Sequence, residues 1–140
     1  MEKKQFSNPL GNQVMSLPSM VDEQVDYCFS DEVQQNIMTM AEAFDVRKIY
    51  ITGCGDSIAA AGAVAPVVHR LAGVFQCEMV EPMEFTRFMM AGDIGIGEPN
   101  SPLVIGISAG GSTSRVVEAM RKANEMGAFT IALTNNGESA

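Results

Sequence analysis

The sequence is poor in the residue types that mark several classes of protein. It has no tryptophan, one histidine and three cysteines in 140 residues. The cysteines, Cys28, Cys54 and Cys77, are too few and too scattered for a disulfide framework, and no two of them have the spacing of a zinc-ligand pair. We therefore expect reduced thiols, and we expect neither a metal nor any other cofactor.

Basic residues are also scarce. Lysine and arginine number 9 against 17 aspartates and glutamates, which gives a formal net charge of −8. Nucleic acids and anionic lipid surfaces are bound by clustered positive charge, so we expect no nucleic acid partner. Any small anion would have to be held by local N–H and hydroxyl groups instead of by a broad positive field.

Long apolar runs are missing as well. No run approaches the roughly 20 apolar residues that cross a bilayer, and the polar N-terminus with Pro9 lacks the apolar core of a secretory signal. We expect no membrane association and a cytoplasmic location. With 46% apolar and 19% charged residues, the chain suits one soluble globular domain.

The sequence contains two segments that are rich in glycine and in hydroxyl side chains. Ser108–Ser114 follows an apolar run at 103–107 and precedes a helical pattern, and Gly53–Ser57 follows a similar run and opens another helix. A turn of this kind brings unpaired backbone N–H groups, hydroxyls and the positive end of a helix dipole to one point. Each segment is therefore suited to binding a phosphate.

The elements around these segments alternate between strand and helix. The pattern predicts a strand at 48–53, a helix at 57–72, a strand at 74–80, a short helix at 82–90, a loop at 92–99, a strand at 103–107, a helix at 113–126 ended by Gly127, and a strand at 129–133. Such alternation predicts an α/β fold with a parallel sheet covered on both faces. In these folds ligands bind outside the carboxyl ends of the strands, where the strand order reverses. We therefore expect a phosphorylated small molecule there.

The first 47 residues differ from this pattern. We expect a loose arm over 1–15, then a helix that Ser16 or Ser19 caps, with Pro18 in its first turn. A second helix should begin after Ser30, with an apolar face formed by Val33, Ile37, Met40, Ala41 and Phe44. This gives an arm and two helices over 1–47 ahead of a domain at 48–140. Because the sequence stops just after a strand, we interpret that domain as truncated after about four strands.

Several of these segments resemble a known family. Gly53–Ser57, Ser108–Thr113, and Thr134-Asn135 with Ser139 are similar to motifs of the sugar isomerase (SIS) domain, and Glu81–Phe85 resembles the acidic turn after the family's second strand. The family includes the isomerase half of glucosamine-6-phosphate synthase, phosphosugar isomerases and deglycases, and sugar-phosphate-sensing regulators. The resemblance spans Lys48 to Ala140.

This resemblance implies a flavodoxin-like, three-layer α/β/α sandwich in which the loops after the first and third strands hold a sugar phosphate. The implied binding groups are the hydroxyls of Ser57, Ser108 and Thr113 and the backbone of Gly55, Asp56, Ala109 and Gly110. The family's third-strand loop usually reads Ser-x-Ser-Gly-x-Thr, and here Gly110 replaces the second serine. Ser112 or Ser114 would have to compensate, and Arg115 is placed to add charge at the rim.

Two other kinds of chemistry fit the sequence less well. Gly53–Ile58 partly resembles a dinucleotide fingerprint with Glu81 as the ribose acid, but Ile58 occupies the third glycine position. Cys54 lies at a helix N-terminus, where a thiolate is stabilised, but the sole histidine, His69, is predicted more than two turns away. We therefore favour structural roles for Cys54 and His69.

Two hypotheses for function follow. The first is the N-terminal SIS domain of a sugar-phosphate isomerase, deglycase or aminosugar enzyme, with Glu84 as the nearest candidate base and no complete catalytic set in this chain alone. The second is a non-catalytic sugar-phosphate sensor, although the leading residues are acidic and not basic as in regulators with a DNA-binding module. Of the 11 methionines we expect most in the core and some at a homodimer surface.

Overall fold

The computed structural model describes residues 8–74, 76–95 and 102–138. The chain divides into two compact units, Met1–Thr39 and Met40–Ala140. The first holds α1 (Pro9–Cys28) and α2 (Asp31–Ile37), and the second begins with α3 (Met40–Asp45).

Helix α1 begins earlier than the sequence predicted. The side chain of Asn8 accepts a hydrogen bond from the amide of Gly11, and Pro9 occupies the first turn, where its missing N–H costs nothing. The expected loose arm is therefore wrong for the described residues 8–15, and Pro18 lies inside the helix instead of in its first turn. The predicted helix start at Ser30 is confirmed, because the Ser30 hydroxyl caps α2 by accepting a hydrogen bond from the amide of Val33 at 3.4 Å.

The second predicted helix is divided in two. Met38 is extended, with φ −163° and ψ 141°, and separates α2 from α3. The expected apolar face does not hold the helix together, since α2 and α3 contain no buried residue. Short helices without packing are marginal in water, so an extended residue interrupts this one at little cost.

The second unit contains a parallel sheet, as the sequence predicted. Its further elements are β1 (Lys48–Gly53), α4 (Asp56–Leu71), β2 (Gln76–Met79), α5 (Pro82–Arg87), α6 (Ala91–Ile94), β3 (Leu103–Ile107), α7 (Ser114–Glu125) and β4 (Phe129–Leu133). The strand order is β2-β1-β3-β4, and every pairing is parallel. The chain moves outward from β1 to β2 on one side and from β3 to β4 on the other. The order therefore reverses between β1 and β3.

Some element boundaries differ from the predicted ones. Strand β2 begins at Gln76, and α5 ends at Arg87, short of its expected end. The predicted loop at 92–99 contains one helical turn, α6, because the carboxylate of Asp93 accepts from the amide of Met90. Residues 96–101 of that connection lie outside the described residues. The predicted helix stop at Gly127 is confirmed by its φ of 90°, a left-handed conformation that glycine adopts without strain.

The main core lies on the α7 face of the sheet. Tyr50 and Val104 point from β1 and β3 toward Ala119 and Ala123 of α7, and the ring of Phe85 packs edge-on to Tyr50 at 6.5 Å between centroids. Neighbouring strand residues point to opposite faces, and α4 packs on the other side of β1 and β2. The two helical layers on either side of the sheet confirm the predicted three-layer architecture.

The methionines do not occupy the positions that the sequence suggested. No methionine in the described part of the chain is fully buried, although Met89, Met120 and Met126 pack at the edge of the core. Met83 and Met90 are largely exposed. The core is filled mainly by small and β-branched side chains instead. Within the described ranges, no helix has the length and apolar character needed to cross a membrane.

Candidate functional site

The two glycine- and hydroxyl-rich loops lie at the same end of adjacent strands. Gly53 and Ile107, the last residues of β1 and β3, are register partners. A Cβ placed on Gly53 would lie 2.8 Å from the Cβ of Ser57 and 3.2 Å from the carbonyl oxygen of Ile107. The first turn of α4 therefore adjoins the residue that precedes Ser108. The space between the two loops, the crevice, lies where the strand order reverses, which is where α/β folds commonly bind ligands.

The loop between β3 and α7 is a tight turn with two facing hydroxyls. The amide of Gly111 donates to the carbonyl of Ser108 at 3.0 Å, and the side-chain oxygens of Ser108 and Thr113 lie 2.9 Å apart. Ser108 is buried, with 7% of its surface exposed. Within the described residues, the amides of Ala109, Gly110 and Ser112 have no protein acceptor. The turn therefore presents free N–H groups beside a fixed hydroxyl pair.

Both helices that leave these loops have uncapped N-termini. Helix α4 starts after Gly55, which has φ 59° and no side chain to cap it, and Thr113 at the start of α7 makes no side-chain cap. Its hydroxyl faces Ser108 instead. By contrast, side chains cap α1 and α2. Uncapped amides and the positive helix dipole stabilise an anion, so the crevice is suited to one.

The loop that follows β4 is hydrogen-bonded to the loop between β3 and α7. The carbonyl of Ala109 accepts from the amide of Asn135 at 3.0 Å and from the hydroxyl of Thr134 at 3.3 Å, and the amide of Ser108 donates to the carbonyl of Leu133 at 3.0 Å. In the sequence, only the family resemblance indicated Thr134 and Asn135. Ser139, quoted with them, lies outside the described residues.

Lys122 fixes the position of α5, which the sequence did not reveal. Its ammonium group donates to the carbonyl oxygens of Phe85, Thr86 and Met89, at 3.1, 2.9 and 2.6 Å. A cation at a helix C-terminus is stabilised by the exposed carbonyls and the negative end of the dipole. The partners lie 33 to 37 residues away in the chain, so sequence spacing gave no signal.

Glu84, the candidate base, lies on α5. Its side chain is exposed and has no hydrogen bond or ion pair within the described residues. Lys122 fixes the helix that carries it, but no contact joins Glu84 to the two loops in the described ranges. Its role in proton transfer stays a prediction.

The alternative nucleophile lacks its partner. Cys54 lies at the carboxyl ends of the strands, while His69 lies in the last turn of α4 and shares a depression with Cys77, near the amino end of β2. A Cys54–His69 pair is therefore not formed. Burial, and secondarily the charge of Glu78, raises the pKa of the Cys77 thiol, which keeps it neutral. Among the described residues, no cluster of histidine, cysteine and carboxylate side chains is arranged to hold a metal ion.

Comparison with known families settles the relationship. The family model described as the SIS domain matches residues 43–140. The chain belongs to the SIS domain family. The resemblance drawn from the loop motifs is thus confirmed at the level of the family.

Individual SIS proteins agree with this assignment. Over 91 residues, 65% of this chain, it is 35% identical to glutamine–fructose-6-phosphate aminotransferase (isomerizing) from Aquifex aeolicus (strain VF5), and it spans 14% of that protein. The C-terminal domain of glucosamine-fructose-6-phosphate aminotransferase from Francisella tularensis matches 99% of this chain, with a TM-score of 0.78 and 17% identity. This chain covers 38% of that structure.

A third relative carries the same fold. Tagatose-6-phosphate ketose/aldose isomerase from Escherichia coli matches 87% of this chain at a TM-score of 0.56 and 16% identity, over 30% of its own length. At these identities the solved structures establish the SIS fold. The chain spans well under half the length of each of these relatives.

Proposed function

We propose that this SIS chain binds a phosphorylated sugar, with the phosphate in the crevice between the β1–α4 and β3–α7 loops. The observation that carries the proposal is that two uncapped helix N-termini follow the adjacent ends of β1 and β3, one of them beside the Ser108–Thr113 hydroxyl pair. The proposed binding residues are Gly55, Asp56, Ser57, Ser108, Ala109, Gly110, Ser112 and Thr113. The amides that lack a protein acceptor and the hydroxyls of this set supply hydrogen bonds to phosphate oxygens.

The names of the relatives support a sugar as the rest of the ligand. One acts on fructose 6-phosphate by its name, and another is named as an isomerase of tagatose 6-phosphate. We propose that this chain is the sugar-phosphate-binding part of an isomerase, deglycase or aminosugar enzyme. Glu84 is the candidate proton-transfer residue, and we expect further catalytic groups to come from outside the described residues.

The binding proposal is tested with a panel of ligands. Purified protein is titrated with fructose 6-phosphate, glucose 6-phosphate, glucosamine 6-phosphate and fructosamine 6-phosphate, each beside its unphosphorylated sugar, in thermal-shift and calorimetric experiments. We expect at least one phosphorylated sugar to bind and its neutral counterpart not to bind. Folded protein that binds no member of the panel would refute the proposal.

Two variants locate the site. Ser108→Ala and Thr113→Ala each remove one hydroxyl of the pair, and a lost hydrogen bond to a charged group is worth about 1.5–3 kcal/mol, or roughly tenfold or more in affinity. Because each hydroxyl orients the other, the double variant should lose less than the sum of the single losses. Ser16→Ala, which removes an exposed hydroxyl of α1, is the control and should bind as the parent does.

The alternative is a sensor that binds without catalysis. An isomerase exchanges the proton next to the sugar carbonyl with solvent, whereas a sensor leaves it in place. Incubation of the bound sugar phosphate in D₂O, followed by mass spectrometry, separates the two. The enzyme hypothesis predicts that the recovered sugar phosphate contains deuterium and that Glu84→Gln abolishes this incorporation. If the full parent protein binds the sugar phosphate without incorporating deuterium, the result would support the sensor.

We also propose that the chain works in the cytoplasm as a homodimer. Cys28 and Cys54 are exposed free thiols, which suits a reducing compartment. The exposed Met83 and Met90 are adaptable side chains of the kind found at protein interfaces. Light scattering after gel filtration tests the dimer, and a monomer at micromolar concentration would argue against it.

A further inference from the structure

Three charged side chains form a chain of ion pairs between α7 and α5. Arg115, in the first turn of α7, bonds one carboxylate oxygen of Glu118 at 3.1 Å. The other oxygen of Glu118 bonds Arg87 of α5 at 2.8 Å. Glu118 is therefore shared between two guanidinium groups, and each of them receives only part of its charge.

The position of Arg115 is unfavourable for a cation in the free protein. Positive side chains destabilise a helix when they lie near its N-terminus, because the dipole is positive there. The first turn of α7 contains no acidic residue, and no side chain caps it. Arg115 therefore adds positive charge to the N-terminus of α7, where the helix dipole is already positive and no acidic side chain balances it. Glu118 offsets this charge only in part, because it lies in the following turn.

We infer that Arg115 also binds the phosphate of the ligand. In the free protein Glu118 holds Arg115 in an ion pair. The inference rests on the proposed function, which puts a phosphate at the N-terminus of α7, beside Thr113. A phosphate dianion is a better partner for a guanidinium than half of a shared carboxylate, since it offers more charge and a bidentate geometry. When phosphate binds, Arg115 leaves Glu118, which keeps Arg87 as its partner.

This arrangement gives the protein a preference for phosphorylated over neutral sugars. A neutral sugar offers nothing that draws Arg115 from Glu118, so it gains nothing from the arginine. The amides and helix dipoles of the two loops already favour an anion, and Arg115 adds a full positive charge to that preference. Arg115 is thus a specificity residue of the proposed site.

The ion-pair chain predicts effects of opposite sign for its middle member, Glu118, and for its outer member Arg87. Glu118→Gln removes the competing carboxylate and frees Arg115, so phosphate binding should tighten. Arg87→Gln leaves Glu118 with Arg115 as its only partner in the chain, so phosphate binding should weaken. The side chains are 38–52% exposed, and exposed ion pairs are weak, so we expect changes of about two- to fivefold in each direction.

The test is a set of calorimetric titrations at low ionic strength with inorganic phosphate and fructose 6-phosphate as probes. Arg115→Gln should weaken both by about two- to fivefold, and the double variant Glu118→Gln/Arg115→Gln should lose the gain of Glu118→Gln. Arg70→Gln, which removes the same charge from the last turn of α4, is the matched control and should change neither. Circular dichroism confirms that each variant is folded.

The outcomes separate this inference from the proposed function. Opposite shifts for Glu118→Gln and Arg87→Gln, both dependent on Arg115, support it. Parent protein that binds a probe through Ser108 while these variants bind as the parent does, or all shift in the same direction, overturns the inference and leaves the proposed function standing. Parent protein that binds neither probe nor any sugar phosphate overturns both.

Discussion

Gly106 of β3 lies directly beneath Met120 of α7. The sulfur of Met120 is 2.6 Å from the point where a Cβ on Gly106 would stand, and a methyl carbon of Val116 is 3.2 Å from the same point. The missing side chain lets α7 approach the sheet closely, two residues before Ser108. This approach sets where the N-terminal amides of α7 lie relative to the crevice.

Gly106→Ala should therefore destabilise the protein and disturb the site. Overpacking of one methyl group typically costs about 1–3 kcal/mol, and here Met120 and Val116 must move to admit it. We expect the free energy of unfolding in urea to fall by that amount and sugar-phosphate affinity to fall with it. Gly92→Ala is the control, because a Cβ there meets no atom within 4 Å. Equal stability of Gly106→Ala and Gly92→Ala would contradict the close packing.

Gly110→Ser should strengthen phosphate binding. A Cβ on Gly110 meets only the hydroxyl oxygen of Ser112, at 3.8 Å, which is ordinary van der Waals contact, so the larger residue fits without strain. The new hydroxyl supplies the serine that the family resemblance implies and, in the proposed site, one hydrogen bond to the phosphate, so we expect affinity to rise severalfold, up to about tenfold. Calorimetric titration measures the change.

Gly110→Ala separates the hydroxyl from the added carbon. It carries the same Cβ without a donor, so it should bind as the parent does. Ser112→Ala should weaken the parent more than it weakens Gly110→Ser, since we expect the Ser112 hydroxyl, 3.8 Å from the Cβ position of Gly110, to take the place of the missing one. An equal gain for Gly110→Ala and Gly110→Ser would show that rigidity of the loop, and not the hydroxyl, is responsible.

Cys77 should be the least reactive of the three thiols. Burial, and to a lesser degree Glu78, raises the pKa of Cys77, whereas Cys28 and Cys54 are exposed. With a thiol-disulfide reagent near pH 8, we expect two fast phases and one slow phase, the slow one absent from Cys77→Ser. Three equally fast reactions would contradict the burial.

The same shift links stability to pH. The folded-state pKa of Cys77 is raised, so its contribution is fully present below the unfolded pKa of about 8.5. As pH rises above that value the unfolded thiol ionises first, and the free energy of unfolding should fall until the folded thiol also ionises. Cys77→Ser should remove this part of the pH dependence, and an unchanged slope in that variant would contradict the assignment.

Much of the sheet unit could be predicted from local pattern. Strands β1, β3 and β4 are apolar runs bounded by glycine or by loop residues, and their predicted limits match the structure. The two glycine- and hydroxyl-rich loops were found for the same reason, since such a turn between strand and helix is a local signal. Parallel topology then placed the loops side by side.

The features that the sequence did not predict depend mainly on contacts between elements that are distant in the chain. The three hydrogen bonds from Lys122 and the Arg87–Glu118 pair exist only because α5 packs on α7, and no spacing rule relates residues so far apart. The break at Met38 was missed because helical periodicity predicted an apolar face that nothing buries. Local pattern thus predicted the two loops and Arg115 at their rim, but not the contacts that Lys122 and Glu118 make with α5.

The most direct test of the phosphate crevice is an ¹H–¹⁵N correlation spectrum recorded during titration with fructose 6-phosphate and, in parallel, with fructose. We expect saturable shifts that are largest at the amides of Gly55, Asp56, Ala109, Gly110 and Ser112, and no such shifts with fructose. Shifts confined to other parts of the chain, or equal shifts with both sugars, would contradict a phosphate site formed by these two loops.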